Sequence, residues 1–130
     1  MCFDYEAALS GYIAAYPHRL EDGLLPYPNE RLRERVFSDG TRLDVLLMDK
    51  DGIPVVVECK QGSPSSKDLR QLRGYMKHIR KALRQKPRGI LVHGGARKLR
   101  NEVRWLAASR PKIEVVQRKL EVGFSISGQG

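Results

Sequence analysis

The sequence predicts an α/β fold, a mixed central sheet flanked by helices, with elements in the order α-β-β-β-α-β-α-β. Two Asp-Gly turns set between apolar runs, Ser38-Asp39-Gly40 and Asp49-Lys50-Asp51-Gly52, mark successive antiparallel strands. Downstream, stretches with three- and four-residue apolar spacing alternate with short β-branched runs, as expected of helices that connect strands. At 130 residues the chain has the size of a single domain, 1–130, with a real core.

Each element has its own signal. Residues 4–16 read as a helix because Tyr5, Leu9, Tyr12, Ile13 and Tyr16 recur at helical steps, and Pro17 stops it. Three prolines between Pro17 and Asn29 indicate an ordered loop. Residues 31–37, 41–48 and 53–60 read as three antiparallel strands. Gly62-Ser63-Pro64-Ser65 breaks the pattern, and Ser65 with Asp68 three residues on forms a capping box. The helix that follows carries Leu69, Leu72, Met76, Ile79 and Leu83 as its apolar stripe. Gly74 costs that helix about 1 kcal/mol relative to alanine. Residues 88–93 read as a fourth strand ended by Gly94-Gly95, and 96–109 as a helix with Leu99, Val103 and Leu106 inward. Residues 113–116 and 120–126 read as a terminal strand or hairpin.

The net charge of +9 is concentrated. Between Lys67 and Arg88 lie nine basic residues and one acid, which leaves 15 basic and 14 acidic residues elsewhere. Arg70, Arg73, Lys77, Arg80 and Arg84 follow the apolar stripe one residue later, so the helix can dock on a sheet and offer a cationic edge. Such segregation predicts a polyanion-binding surface. No apolar run reaches the ~18–20 residues of a membrane span, and the acidic Asp4 and Glu6 argue against a signal peptide. Cys2 and Cys59 do not suggest a disulfide, so a reducing cytoplasm is expected.

The run LDVLLMDKDGIPVVVECKQG, residues 43–62, contains the chemistry. Strand interiors rarely hold ions without a reason, because burying an unpaired charge is costly. Alternation places Glu58 and Lys60 on one face, and Asp44 projects opposite Leu43, Val45 and Leu47. As hairpin neighbours, Asp44 and Glu58 converge, and two converging carboxylates repel unless a cation joins them. Hard divalent ions such as Mg²⁺ or Mn²⁺ suit an oxygen site of this kind. Lys60 would then orient or deprotonate a water and offset developing charge.

Asp44…Glu58-Cys59-Lys60 has the form of the PD-(D/E)xK nuclease signature, without its proline. More specifically, GTRLDVLLMDKDGIPVVVECKQG followed by QLRGYM resembles the catalytic domain of NucS-type (EndoMS) endonucleases. The likeness extends upstream to EAALSGYIAAYPHRLEDGL. It implies a restriction-endonuclease-like αβββαβ core. It also implies that Asp44, Glu58 and the main-chain carbonyl of Cys59 bind the metal and that Lys60 is the catalytic lysine. Glu6 corresponds to a helix carboxylate that reaches the metal through water. Gln71 would help place water or the scissile phosphate, and Tyr75 would approach the nucleic acid; the charge segregation, apart from the resemblance, assigns Arg70, Arg73, Lys77 and Arg80 to its backbone. Cys59 replaces an aliphatic residue, and Gly74 stands where arginine is common. Neither a separate N-terminal DNA-binding domain nor a clamp-binding tail is expected from this sequence.

The residues thus point to a metal-dependent DNA endonuclease acting on branched, flap, mismatched or single-stranded DNA in repair or defence. A non-catalytic nucleic-acid-binding module with the nuclease fold, or a nuclease subunit of a larger assembly, is the alternative. A homodimer and a partner protein that supplies substrate choice both fit. His18, His78 and His93 are not spaced to complete a metal set, and a structural role is expected for His93.

Overall fold

The computed structural model describes residues 4–29 and 44–121. Its sheet runs in the order β1 (Leu25–Pro26), β2 (Val45–Met48), β3 (Pro54–Lys60), β4 (Arg88–His93) and β5 (Ile113–Gln117). Pairing is antiparallel from β1 to β3 and parallel from β3 to β5, so the sheet is mixed, as the element order predicts. Helix α1 (Tyr5–Ala15) covers one face, while α2 (Ser66–Leu83) and α3 (Asn101–Ala108) cover the other.

Local chemistry accounts for most boundaries. Asp4 caps α1 by accepting a hydrogen bond from the Ala7 amide (3.0 Å), and Pro17 opens a single 3₁₀ turn, Pro17–Arg19. In the β2–β3 turn, Asp49 Oδ1 accepts from the amides of Asp51 and Ile53, both at 2.9 Å. Gly52 adopts φ +77° there, a conformation that only glycine takes up without strain. The expected capping box opens α2: Ser65 and Asp68 exchange side-chain to backbone hydrogen bonds at 3.3 and 2.8 Å.

Two apolar layers sandwich the sheet. Val55, Val57 and Cys59 pack toward α1 with Leu9 and Ile13, while Val56 packs toward α2 with Leu69, Leu72 and Ile79. Each fully buried valine or leucine contributes about 1.5–3 kcal/mol. Helix α2 lies so close to β4 that a Cβ on Gly89 would sit 2.5 Å from Met76 Sδ, so a larger residue there would displace the Met76 side chain. Strand alternation then puts Glu58 and Lys60, with Val56, on the α2 side of the sheet.

Three expectations need correction. The span 17–29 is not wholly loop, because Leu25–Pro26 pairs with β2 as a short edge strand, where a proline without an N–H is tolerated. The second long helix starts at Asn101 instead of residue 96. Ala96 donates to Ser63 Oγ (3.3 Å) and Arg100 is extended, so Leu99 reaches the core from an irregular segment. Residues 118–121 form no strand. The expected strand 31–37, the first three residues of 41–48, Cys2 and most of 120–126 lie outside the described residues.

Candidate active site

Asp44, Glu58 and Lys60 meet at one end of the sheet, where β2 begins and β3 ends. The register Val45↔Val57 places Asp44 one step from the β3 partner of its strand, opposite Glu58. Asp44 Oδ2 accepts a hydrogen bond from the Cys59 amide (2.8 Å), which fixes the carboxylate against β3. Glu58 is 4% exposed, and its Oε2 is buried without a hydrogen-bond partner. Lys60 Nζ lies 3.7 Å from Glu58 Oε1 and 3.6 Å from Asp68 Oδ1.

The electrostatics follow from this crowding. Burial, reinforced by the Asp44 charge, pushes the Glu58 carboxyl up to about 8. Asp44 is also raised, by burial first and by the charge of Glu6, against the pull of the Cys59 amide and Lys60. The two acids titrate together and share a proton more readily than they share two negative charges. Partial burial pulls the Lys60 pKa down, but Glu58, Asp68, Glu6 and Asp44 outweigh it and hold the group above the usual lysine range. In the metal-free protein Lys60 is therefore an ammonium. It can orient water and offset negative charge, whereas the expected role of deprotonating water needs a neutral amine.

The donor atoms suit a divalent ion. Glu58 Oε2 is an orphaned buried oxygen, and a hard cation between it and Asp44 would remove both the repulsion and the missing interaction. Among the described residues, no group of three or more His, Cys, Asp or Glu side chains could hold an ion. The remaining donors would have to be main-chain carbonyls and water, which suits Mg²⁺ or Mn²⁺ better than a closed all-side-chain cage. The Cys59 thiol is no ligand candidate, since it is buried and burial pushes its pKa far up.

The remaining expected residues divide into two groups. Glu6 reaches the site's edge, where its Oε2 accepts from the Gln61 amide just past β3 (3.1 Å). Gln71 Nε2 donates to the Tyr75 hydroxyl (2.8 Å), and the Tyr75 pKa is raised by burial and by the charge of Glu58. The Tyr75 ring is only 6% exposed, so it offers no stacking face to a base. Arg73 is held differently from the other expected cations. Its guanidinium donates to the carbonyls of Leu106, Ser109 (2.9 Å) and Pro111 (3.2 Å), tying α2 to the end of α3. Its Nε and Nη2 are thereby engaged by carbonyls, which makes Arg73 a tie between the two helices. Arg70, Lys77 and Arg80 are exposed.

Helix geometry also sets Gln71 and Tyr75 apart from the basic stripe. Gln71 and Tyr75 precede the buried positions Leu72 and Met76 by one residue, whereas Arg73 and Lys77 follow them by one. The polar pair and the basic stripe therefore flank the buried face on opposite sides, about 200° apart across it. Asp68, expected only as a cap, also holds Lys60. The five-residue link between Lys60 and Ser66 is the signal that could have revealed this, because it leaves the first turn of α2 beside the end of β3.

No family model matches the chain. Two curated proteins named Endonuclease NucS align with it over 87 residues. The one from Thermococcus kodakarensis is 36% identical and the one from Pyrococcus horikoshii 33%, over 67% of this chain and 32% of each relative. The chain thus spans about a third of the length of the curated relatives it matches. Among solved structures, a repair endonuclease from Pyrococcus abyssi superposes with a TM-score of 0.69 at 27% identity, over 93% of this chain and 49% of that one. An EndoMS–dsDNA complex gives 0.72 at 26% identity, over 92% and 46%, and EndoMS in apo form gives 0.68 at 31% identity, over 95% and 49%. In sequence and in fold, this chain resembles the NucS/EndoMS endonucleases over a third to a half of their length.

Proposed function

We propose that the chain is a metal-dependent nuclease that hydrolyses phosphodiester bonds in DNA. The observation that carries this reading is the buried, unpartnered Glu58 oxygen beside Asp44, with the Lys60 ammonium 3.7 Å from the other Glu58 oxygen. The relatives named endonucleases and the structural neighbour described with double-stranded DNA support nuclease chemistry and DNA as the substrate. Repair of branched or mismatched DNA is the finer form of the proposal.

Asp44, Glu58 and the Cys59 main-chain carbonyl would hold Mg²⁺ or Mn²⁺, with Glu6 reaching it through water. The bound ion supplies charge neutralisation at the phosphate and a more acidic water. Lys60 orients the attacking water and offsets the charge that builds on the phosphoryl oxygens as the new P–O bond forms and the leaving P–O bond breaks. Asp68 holds the Lys60 ammonium in place, and Gln71 positions water or phosphate from the first turns of α2.

The test is incubation with labelled single-stranded, duplex, flap and mismatched DNA in Mg²⁺, Mn²⁺ or EDTA. Cleavage should need the metal and vanish in Asp44→Ala. Lys60→Ala should lower turnover by about two orders of magnitude, the scale of losing one electrostatic stabiliser, with binding nearly intact. Parallel loss of binding and cleavage would make Lys60 a phosphate clamp. No cleavage under any metal would leave a nucleic-acid-binding module.

A further inference from the structure

We infer a second, phosphate-directed site at the end of the sheet opposite the catalytic carboxylates, which holds nucleic-acid backbone away from the bond being cut. A cleft of about 860 Å³ opens between the second half of α2 and the starts of β4 and β5. Its floor is apolar, formed by Met76, Pro87, Gly89 and Pro111. Its rim carries Lys77, Arg80, Lys86, Arg110 and Lys112, none of which makes an ion pair or side-chain hydrogen bond among the described residues. The two other cations at the cleft are already engaged, Arg73 by carbonyls and Arg88 by carboxylates. The single acid there, Glu114, is 2.7 Å from Arg88 and leaves the rim uncompensated.

Position separates this cleft from the active site. Register pairs Lys60 with His93 at one end of β4, while Gly89 lines the cleft four residues earlier, about 13 Å along the strand. The cationic rim also continues the flank of α2 that faces away from Gln71 and Tyr75. From Arg70 to Arg80 this flank is about 15 Å long, or some four base steps of duplex. Five cations spread along a cleft suit several phosphates in a row better than one. The choice of ligand rests on the nucleic-acid reading above, but not on catalysis. A free nucleoside triphosphate offers the same chemistry and is the other source to distinguish.

The experiment is an amide NMR titration of metal-free protein with an eight-residue deoxythymidine oligonucleotide and, separately, with ATP, alongside affinity measured between 50 and 200 mM salt. The oligonucleotide should shift the amides of Gly89 and Lys112 as well as those of Cys59 and Gln61. Lys86→Glu with Lys112→Glu should erase the first pair of shifts and keep the second. The same variant should lower the log–log salt slope by about 1.4, so wild type loses about sevenfold more affinity over that salt range. Lys86→Gln with Lys112→Gln gives the same test if charge reversal disturbs folding. Equal or stronger Gly89 shifts with ATP would support the site and assign it to a free nucleotide. Oligonucleotide shifts confined to Cys59 and Gln61, or a salt slope unchanged in both variants, would overturn it. A protein that cleaves without Gly89 shifts defeats this inference alone, and one that shows the shifts without cleaving defeats only the nuclease reading.

Discussion

Without metal, the protein should lose stability as pH rises through neutrality, and Glu58→Gln should remove most of that loss. Glu58 titrates near 8 in the folded chain against 4.5 when unperturbed, so between those values the folded state binds a proton that the unfolded state has released. Stability then falls with rising pH at up to about 1.4 kcal/mol per unit, or about 3 kcal/mol between pH 4.5 and 7, and levels off above 8. Asp44 is shifted in the same direction and adds to the trend. Glu21, lowered mainly by its hydrogen bond to Arg88, behaves oppositely and loses its contribution only as pH drops below its unperturbed 4.5. Asp49 acts likewise below 3.8, because amide hydrogen bonds and Arg88 outweigh its burial. The metal-free optimum is therefore mildly acidic. Urea unfolding in EDTA at half-unit steps from pH 4.5 to 8.5 measures it, and saturating Mg²⁺ or Mn²⁺ should flatten the curve because ion binding displaces the shared proton. A metal-free wild type that gains stability from pH 5 to 8, or a Glu58→Gln protein with the same slope as wild type, would refute the reasoning.

Two further substitutions separate structure from chemistry. Arg73→Ala removes the donor from the exposed Ser109 and Pro111 carbonyls and one of two donors from Leu106, and should cost about 0.5–1.5 kcal/mol in thermal or urea unfolding, while the salt dependence of DNA binding stays as in wild type. Asp68→Asn should lower kcat about tenfold through a poorly held Lys60, with KM unchanged and metal affinity measured by calorimetry also unchanged.

What the sequence revealed was local. The Asp-Gly hairpin turn, the Ser65–Asp68 box and the strand at 88–93 depend on neighbours within a few residues, and the structure has all three. The convergence of Asp44 with Glu58 was also legible, because a two-strand register follows from a short turn. The start of α3 was not, since Leu99 carries an apolar period but is pinned to the core from an irregular segment. Nor was the fate of Arg73, which was chosen by carbonyls 33 to 38 residues away that no local pattern announces. The basic stripe is legible from its spacing, and Arg70, Lys77, Arg80 and Arg84 are exposed along it. Its angle to Gln71 follows from helix periodicity alone, whereas the neighbours each flank meets depend on how α2 settles over the sheet.

Arg88 joins Glu21 at 2.6 Å, Asp49 at 3.2 Å and Glu114 at 2.7 Å, ties that span 67, 39 and 26 residues of chain. Contacts of such long span close large loops, and that entropy must be lost before the ion pairs return anything. Pairs of such span are expected to close late, after β4 has docked between β3 and β5, so Arg88→Met should change the folding rate little. Interactions of that kind slow unfolding more than they speed folding. On that expectation Arg88 is a latch, and stopped-flow unfolding of Arg88→Met should be faster than wild type with the refolding arm nearly unchanged.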